Sequence, residues 1–349
     1  MYIIYALLGF SLLIIVHELG HFIMAKVNGI KVEEFAIGMG PKIFSTQGKE
    51  TKYSIGLFPI GGYVKMMGEE EEVQDERSFS SKSPLRRISV IIAGAVMNFL
   101  FAIIIFTIFL NKFGYRLPEV KTVTENSPAL EAGLEVGDKF LKVDGSRVFS
   151  ADDLFVGINM AKDKPINFLI ERNGEKQEII ITPRLVKENE EENEEENENK
   201  RERYEIGFGF ETVENPGIMQ SFKQSFKETL SAINQTYKGI KMMITGKVNF
   251  KTDVGGPVSI IRMSSQAAKN GIWNLMYFVA FISINLAVFN MLPFPALDGG
   301  WTVILLIELI TRRKVPDKLV GAVNYVGLML LFGLMILVTI KDILFPIQF

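Results

Sequence analysis

Four long apolar runs punctuate the chain, at residues 2–25, 88–110, 272–297 and 319–340. Each has the ~20 residues that carry a helix across about 30 Å of hydrocarbon at 1.5 Å per residue, so the pattern predicts four membrane-spanning helices. The first run has no basic segment before it. Lys26 and Val27 follow it where a cleavable leader would show small residues, which predicts a retained span. Between the second and third runs, residues 115–185 alternate short apolar and polar stretches such as "FLKVDG" and "EIIITP". With turn signals at Asp144-Gly145 and Asn173-Gly174, these predict a small β-rich domain. The next stretch, "KENEEENEEENENKRER", has eight glutamates between Glu188 and Glu198 and no apolar surface to bury, as a solvated linker has. Residues 218–246 then place Phe222, Phe226, Leu230, Ile233 and Tyr237 at helical spacing. Such an amphipathic helix suits a membrane surface or a berth on the soluble domain. Segments 34–47 and 52–67, around a polar "TQGKE" turn, read as β-hairpins. They either offer an edge strand to an extended peptide or pack as ordinary hairpins on the spans.

Composition fits a mixed architecture. The 349 residues are 48% hydrophobic with a mean hydropathy of +0.21, too apolar for a wholly soluble chain yet leaving room for a water-exposed domain. The reading is a polytopic α-helical membrane protein with four transmembrane helices and a β-rich domain. It divides into 1–114 (two spans and the hairpin region), 115–187 (β-rich domain), 188–203 (acidic linker), 204–271 (segment with the amphipathic helix) and 272–349 (two spans). A net charge of -2 and a pI near 5.9 give no basic field for nucleic acid, which is excluded as a partner. Ten Lys/Arg lie between residues 26 and 87, and Arg312, Arg313, Lys314 and Lys318 follow the third run. The positive-inside rule puts both segments in the cytoplasm and residues 111–271 outside.

Only two histidines occur, and both lie in the first apolar run, in "IIVHELGHFIM". His17 and His21 are four residues apart, one turn above the other on a helix face, with Glu18 beside the first. Two neutral imidazoles suit zinc, and the glutamate is free to act as a general base. A carboxylate at mid-bilayer costs ~2.5 kcal/mol or more, which by itself points to function. With Cys 0 and no third histidine, a three-ligand site has to be completed by Asp or Glu. Asp298, in "NMLPFPALDGGW", is the one further acid at membrane depth. Pro293 and Pro295 break the helix before it, and Gly299 and Gly300 loosen the chain after it. Irregular backbone at that depth lines a protein cavity or water, and Asp298 suits helix capping as well as ligation. If the first span ends near Lys26, His21 and His17 lie roughly 8 and 13 Å below the cytoplasmic boundary. Water then enters from the cytoplasm.

These stretches, with "GLFPIGGYVKMMGE" (56–69), "NSPALEAGLEVGDKFLKVDG" (126–145) and "GGPVSI" (255–260), resemble the site-2 protease family. Their order is that of its bacterial RseP-type members, which carry a PDZ domain. The resemblance covers nearly the whole chain and implies an intramembrane zinc endopeptidase of the bacterial cytoplasmic membrane, acting in regulated intramembrane proteolysis. It implies single-span membrane protein substrates, such as anti-sigma factors or signal-peptide remnants, a lipid environment, and an extracytoplasmic PDZ-like domain. On the same basis His17, His21 and Asp298 are expected to bind Zn2+, Glu18 to be the catalytic base, and Asn290, Gly61 and Gly62 to contact substrate. Trp301 stands where many relatives have histidine, and residues 115–187 show no obvious glycine-rich carboxylate-binding loop.

Overall fold

The computed structural model describes residues 2–69, 73–187, 202–246, 248–250 and 254–346. The acidic run 188–198 lies outside the described residues. The chain forms two compact units, Met1–Ile105 with Lys238–Phe349, and Phe106–Tyr237.

The first unit opens with α1 (Tyr2–Val27), followed by β1 (Val32–Gln47), β2 (Lys52–Met66) and α2 (Pro84–Phe113). The two strands are long and bent, and residues 34–37 face partners on both sides. Phe35 stands opposite Val64 and Tyr53, Ala36 opposite Tyr63 and Ser54, and Ile37 opposite Gly62 and Ile55. Residues 42–47 pair in turn with 52–56. Residues 61–66 thereby form one edge of the sheet, paired on one side only among the described residues. Ala25, Val32, Val64, Met66, Phe79 and Val90 make the buried cluster that seats this sheet against α1 and α2.

Strands β3 (Tyr115–Val123), β4 (Lys139–Val143), β5 (Ser146–Arg147), β6 (Ile166–Arg172), β7 (Glu175–Ile181), β8 (Arg184–Lys187), β9 (Glu202–Glu205) and β10 (Phe208–Val213) build the second unit. They are joined there by the helices α3 (Pro128–Glu131) and α4 (Ala151–Ala161) and by most of α5 (Ile218–Ile244). The sheet order is β10-β3-β4-β6-β7, with β5 on β4 and a separate β8-β9 pair. Asp144-Gly145 and Asn173-Gly174 all take positive φ, as two-residue hairpin turns demand. Phe140, Phe168, Ile166, Ile170 and Leu154 fill the core. Arg172 grips the fully buried Asp138 through Nε (2.7 Å) and Nη2 (2.6 Å). A boundary at 187/204 cuts through this sheet, because β9 and β10, which follow the acidic run, pair back onto β8 and β3. Strand pairing is non-local: the alternation of Tyr204, Ile206, Phe208 and Phe210 marks a strand, but nothing in it names the partner ninety residues upstream.

The chain returns to the first unit with α6 (Pro257–Lys269), α7 (Ile272–Asn290), α8 (Asp298–Thr311) and α9 (Asp317–Leu344). Among the described residues, four helices, Tyr2–Val27, Pro84–Phe113, Ile272–Asn290 and Lys318–Leu344, are long and apolar enough to cross a membrane. The third apolar run therefore ends seven residues before its sequence limit, at Asn290, and a loop then leads into α8. Buried Arg87 Nη1 donates to Glu308 (2.8 Å), tying the start of α2 to the end of α8. Asp342 accepts from the Gly256 and Ser259 N–H groups (2.9 Å each), tying α9 to the first turn of α6.

Candidate metal centre

α1 projects His17 and His21 from one buried face, at 6% and 8% exposure. Two close approaches make this possible. A Cβ at Gly20 would run into the Ala93 carbonyl of α2, and one at Gly94 would stand 2.5 Å from His21 Nε2 and 2.7 Å from His17 Cε1. Only glycines let the two helices meet around the imidazoles.

Asp298 arrives from the other side. After α7 ends at Asn290, residues 291–297 turn through short backbone bonds, and Ala296 takes φ 70° with its N–H on Asn324 Oδ1 of α9 (3.2 Å). Gly299 and Gly300 pack against the backbone of Met291, Leu292 and Phe294 so closely that no Cβ fits. Leu297 is the N-cap of α8, so Asp298 sits one residue inside the helix, with no capping hydrogen bond from Leu297. The carboxylate is left to face the histidines.

His17 Nε2 lies 3.2 Å from His21 Nε2, and Asp298 Oδ2 lies 3.2 Å from the first and 3.6 Å from the second. Asp298 Oδ2 is buried and has no hydrogen-bond partner. Four ligands at about 2.0–2.2 Å from a tetrahedral zinc stand about 3.3–3.6 Å apart, so these three atoms fit that ion. Among the described residues, this is the one group of three His, Asp or Glu side chains whose ligand atoms converge. His21 Nδ1 donates to the Val90 carbonyl (2.9 Å), which leaves its Nε2 lone pair free for a metal.

Glu18 hydrogen-bonds with the Val64 backbone of the β2 edge. Gly62 lies against it, with the Cβ position 3.5 Å from Glu18 Cγ, whereas Gly61 packs on the Met39 side chain. Asn290 Nδ2 is 3.3 Å from His17 Nε2. The fold thus brings Asn290 and Gly62 to the centre and leaves Gly61 beside it. One contact went unread in the sequence: Asn98 of α2, fully buried, lies with its Nδ2 3.3 Å from His17 Nδ1. A lone amide in the apolar run 88–110 was the signal available. A cavity of ≈1030 Å³ is lined by Val64, by Glu69 and by Trp301, one turn beyond Asp298.

The model of the family Peptidase family M50 matches residues 5–334. A Clostridium perfringens protein named as a zinc metalloprotease is 51% identical over 347 residues, covering 99% of this chain and all of the relative. The regulator of sigma-W protease RasP of Bacillus subtilis is 30% identical, with 96% of each chain covered. The Enterococcus faecalis protease eep is 28% identical, with 98% of each covered. A zinc-shaped triad next to a glutamate, with both histidines on a helix apolar enough to span a membrane, agrees with what these relatives are named for, and the chain belongs to peptidase family M50, the site-2 proteases, as a zinc-dependent membrane metalloprotease.

Proposed function

We propose that the chain cleaves single-span membrane proteins within the bilayer, near its cytoplasmic face, with His17, His21 and Asp298 holding the zinc and Glu18 as general base. The convergence of three ligand atoms beside Glu18 carries this reading. When bound, zinc supplies a Lewis acid that polarises the scissile carbonyl and lowers the pKa of a water ligand to about 7. Glu18 takes the proton of the attacking water and returns it to the leaving amine, so no covalent intermediate forms. Asn290, beside His17 Nε2, is placed to donate to the substrate backbone.

A helical substrate hides its peptide bonds, because its carbonyls accept i to i−4 hydrogen bonds, and it has to unwind to be cut. The free edge of 61–66, against which Glu18 lies, supports pairing with an unwound stretch by strand addition. Anti-sigma-factor-like proteins and signal-peptide remnants are the substrates we infer.

The β-rich unit is proposed to be PDZ-like and extracytoplasmic. Gly207, Phe208, Gly209 and Phe210, together with Phe155 and Ile158 of α4, line a groove of ≈480 Å³. This glycine-rich stretch, absent from 115–187, lies beyond the acidic run and supports the assignment. The active-site test is a pair of variants. Glu18→Gln keeps about one zinc per chain and loses cleavage, whereas Asp298→Ala loses both. Full zinc occupancy in Asp298→Ala overturns the ligand assignment.

A further inference from the structure

We infer that Asn98 is a positioning residue for His17, whose amide oxygen accepts the His17 Nδ1–H and so keeps the Nε2 lone pair turned toward the metal. The inference rests on the ligand assignment above. The two histidines are held differently. His21 Nδ1 faces the Val90 carbonyl, a group that only accepts, and this sets its tautomer. His17 Nδ1 faces an amide at 3.3 Å, which offers either an N–H2 or an oxygen.

As the side chain stands, Nδ2 faces the imidazole, and Asn98 Oδ1 is buried without a hydrogen-bond partner. A donor facing Nδ1 would place the ring proton on Nε2, where it blocks ligation. A half-turn of the amide exchanges two ends of nearly equal size. It gives the orphaned oxygen a donor and leaves Nε2 unprotonated. The backbone keeps Asn98 in place for this: its carbonyl accepts from Ser283 Oγ of α7 (3.0 Å), and its side chain is fully buried. Gly94 lies one turn earlier on the same face, where the absent Cβ leaves room for both rings. The Gly94 backbone also hydrogen-bonds with His17 and is the competing acceptor.

Two near-isosteric variants of the full-length protein in detergent separate the roles. Asn98→Leu fills the same space without an acceptor, and Asn98→Asp keeps the acceptor without the donor. Zinc affinity is measured by competition with a chelator, and the ligand field by the visible absorption of the cobalt-substituted form. Removing an outer partner of a ligating histidine typically costs about 10–100-fold in metal affinity. Asn98→Leu is therefore expected to weaken zinc binding about tenfold or more and to shift the cobalt bands, while Asn98→Asp binds within about threefold of the parent or more tightly. Parent-like affinity and cobalt spectrum in Asn98→Leu would show that the Gly94 carbonyl suffices and would overturn the inference. So would a loss in Asn98→Asp equal to that in Asn98→Leu, since the donor would then be the end that matters. Failure of the parent chain itself to bind zinc through His17 would instead strike the ligand assignment.

Discussion

At the scale of the residue, burial decides what each ionisable side chain does. His17, Glu18, His21 and Asp298 were legible from type and spacing, because HExxH on a helix and a solitary deep aspartate leave few chemical alternatives. Glu228 was not legible as special, being the single acid on the polar face of an amphipathic helix, where solvent exposure is the usual expectation, yet it is 8% exposed. Burial pushes its carboxyl up to about 7, Asp152 and Asp153 add to the rise, and the hydrogen bond from Gln224 Nε2 (2.8 Å) opposes it. The ordinary value is 4.5, so the folded state binds the proton more tightly than the unfolded chain. Stability from this group is full below pH 4.5 and is lost as pH rises to about 7. Glu228→Gln should accordingly leave the unfolding temperature unchanged near pH 4 and raise it at pH 8, by an amount equivalent to about 3 kcal/mol at most. A variant with the same Tm difference at both pH values would show that the carboxyl is not titrating there.

Among the elements, α5 reverses the usual arrangement of an amphipathic helix. Its periodicity was legible in the sequence, but not the face it buries. Ser221, Gln224, Ser225, Glu228, Thr229 and Ser231 are buried, and Thr107 Oγ1 donates to Ser225 Oγ (3.0 Å). Phe222, Phe226, Leu230 and Tyr237 stay exposed on the opposite side. An outward aromatic stripe on a chain with four apolar spans suits the headgroup boundary of a bilayer. Phe226→Trp should therefore fold normally, show blue-shifted emission in lipid vesicles, and be quenched by shallow brominated lipids. Emission equal to that of a solvent-exposed indole would place the stripe in water or against another protein. The β1–β2 sheet teaches a similar lesson: both strands were expected, yet the double pairing of 34–37 that makes 61–66 an edge depends on bends at Gly38, Gly40 and Gly61, all with positive φ.

For the whole molecule, loop charge sets the expected orientation and the β-rich unit the expected access. Cys 0 makes single reporters clean. Lys176→Cys in β7 should react with a membrane-impermeant thiol reagent in intact cells, and Lys49→Cys, exposed between β1 and β2, only after lysis. The reverse pattern would invert the topology. The β-rich unit can also be removed cleanly, because Tyr115 and Val213 face each other across β3 and β10, about 5 Å apart as antiparallel partners are. Deleting 116–212 and closing the gap with a short turn should leave zinc binding and cleavage of a trimmed substrate intact. If the unit restricts access, cutting of a substrate with a bulky outer domain should rise. If it recruits substrate, both reactions should slow.

The sequence alone determined the four apolar spans and the family, and it singled out His17, Glu18, His21 and Asp298 as candidates, because hydrophobic length and metal-ligand chemistry are local properties of residue type and spacing. Tertiary structure decided the rest. It alone shows that Asp298 meets the two histidines across 277 residues of chain, since that depends on glycines in α1, α2 and α8 that allow backbones to touch. It also shows that β10 closes the sheet begun by β3, and that Asn98 faces His17. Each of these is a contact between segments distant in the chain, and such contacts are selected by packing, which no local pattern encodes.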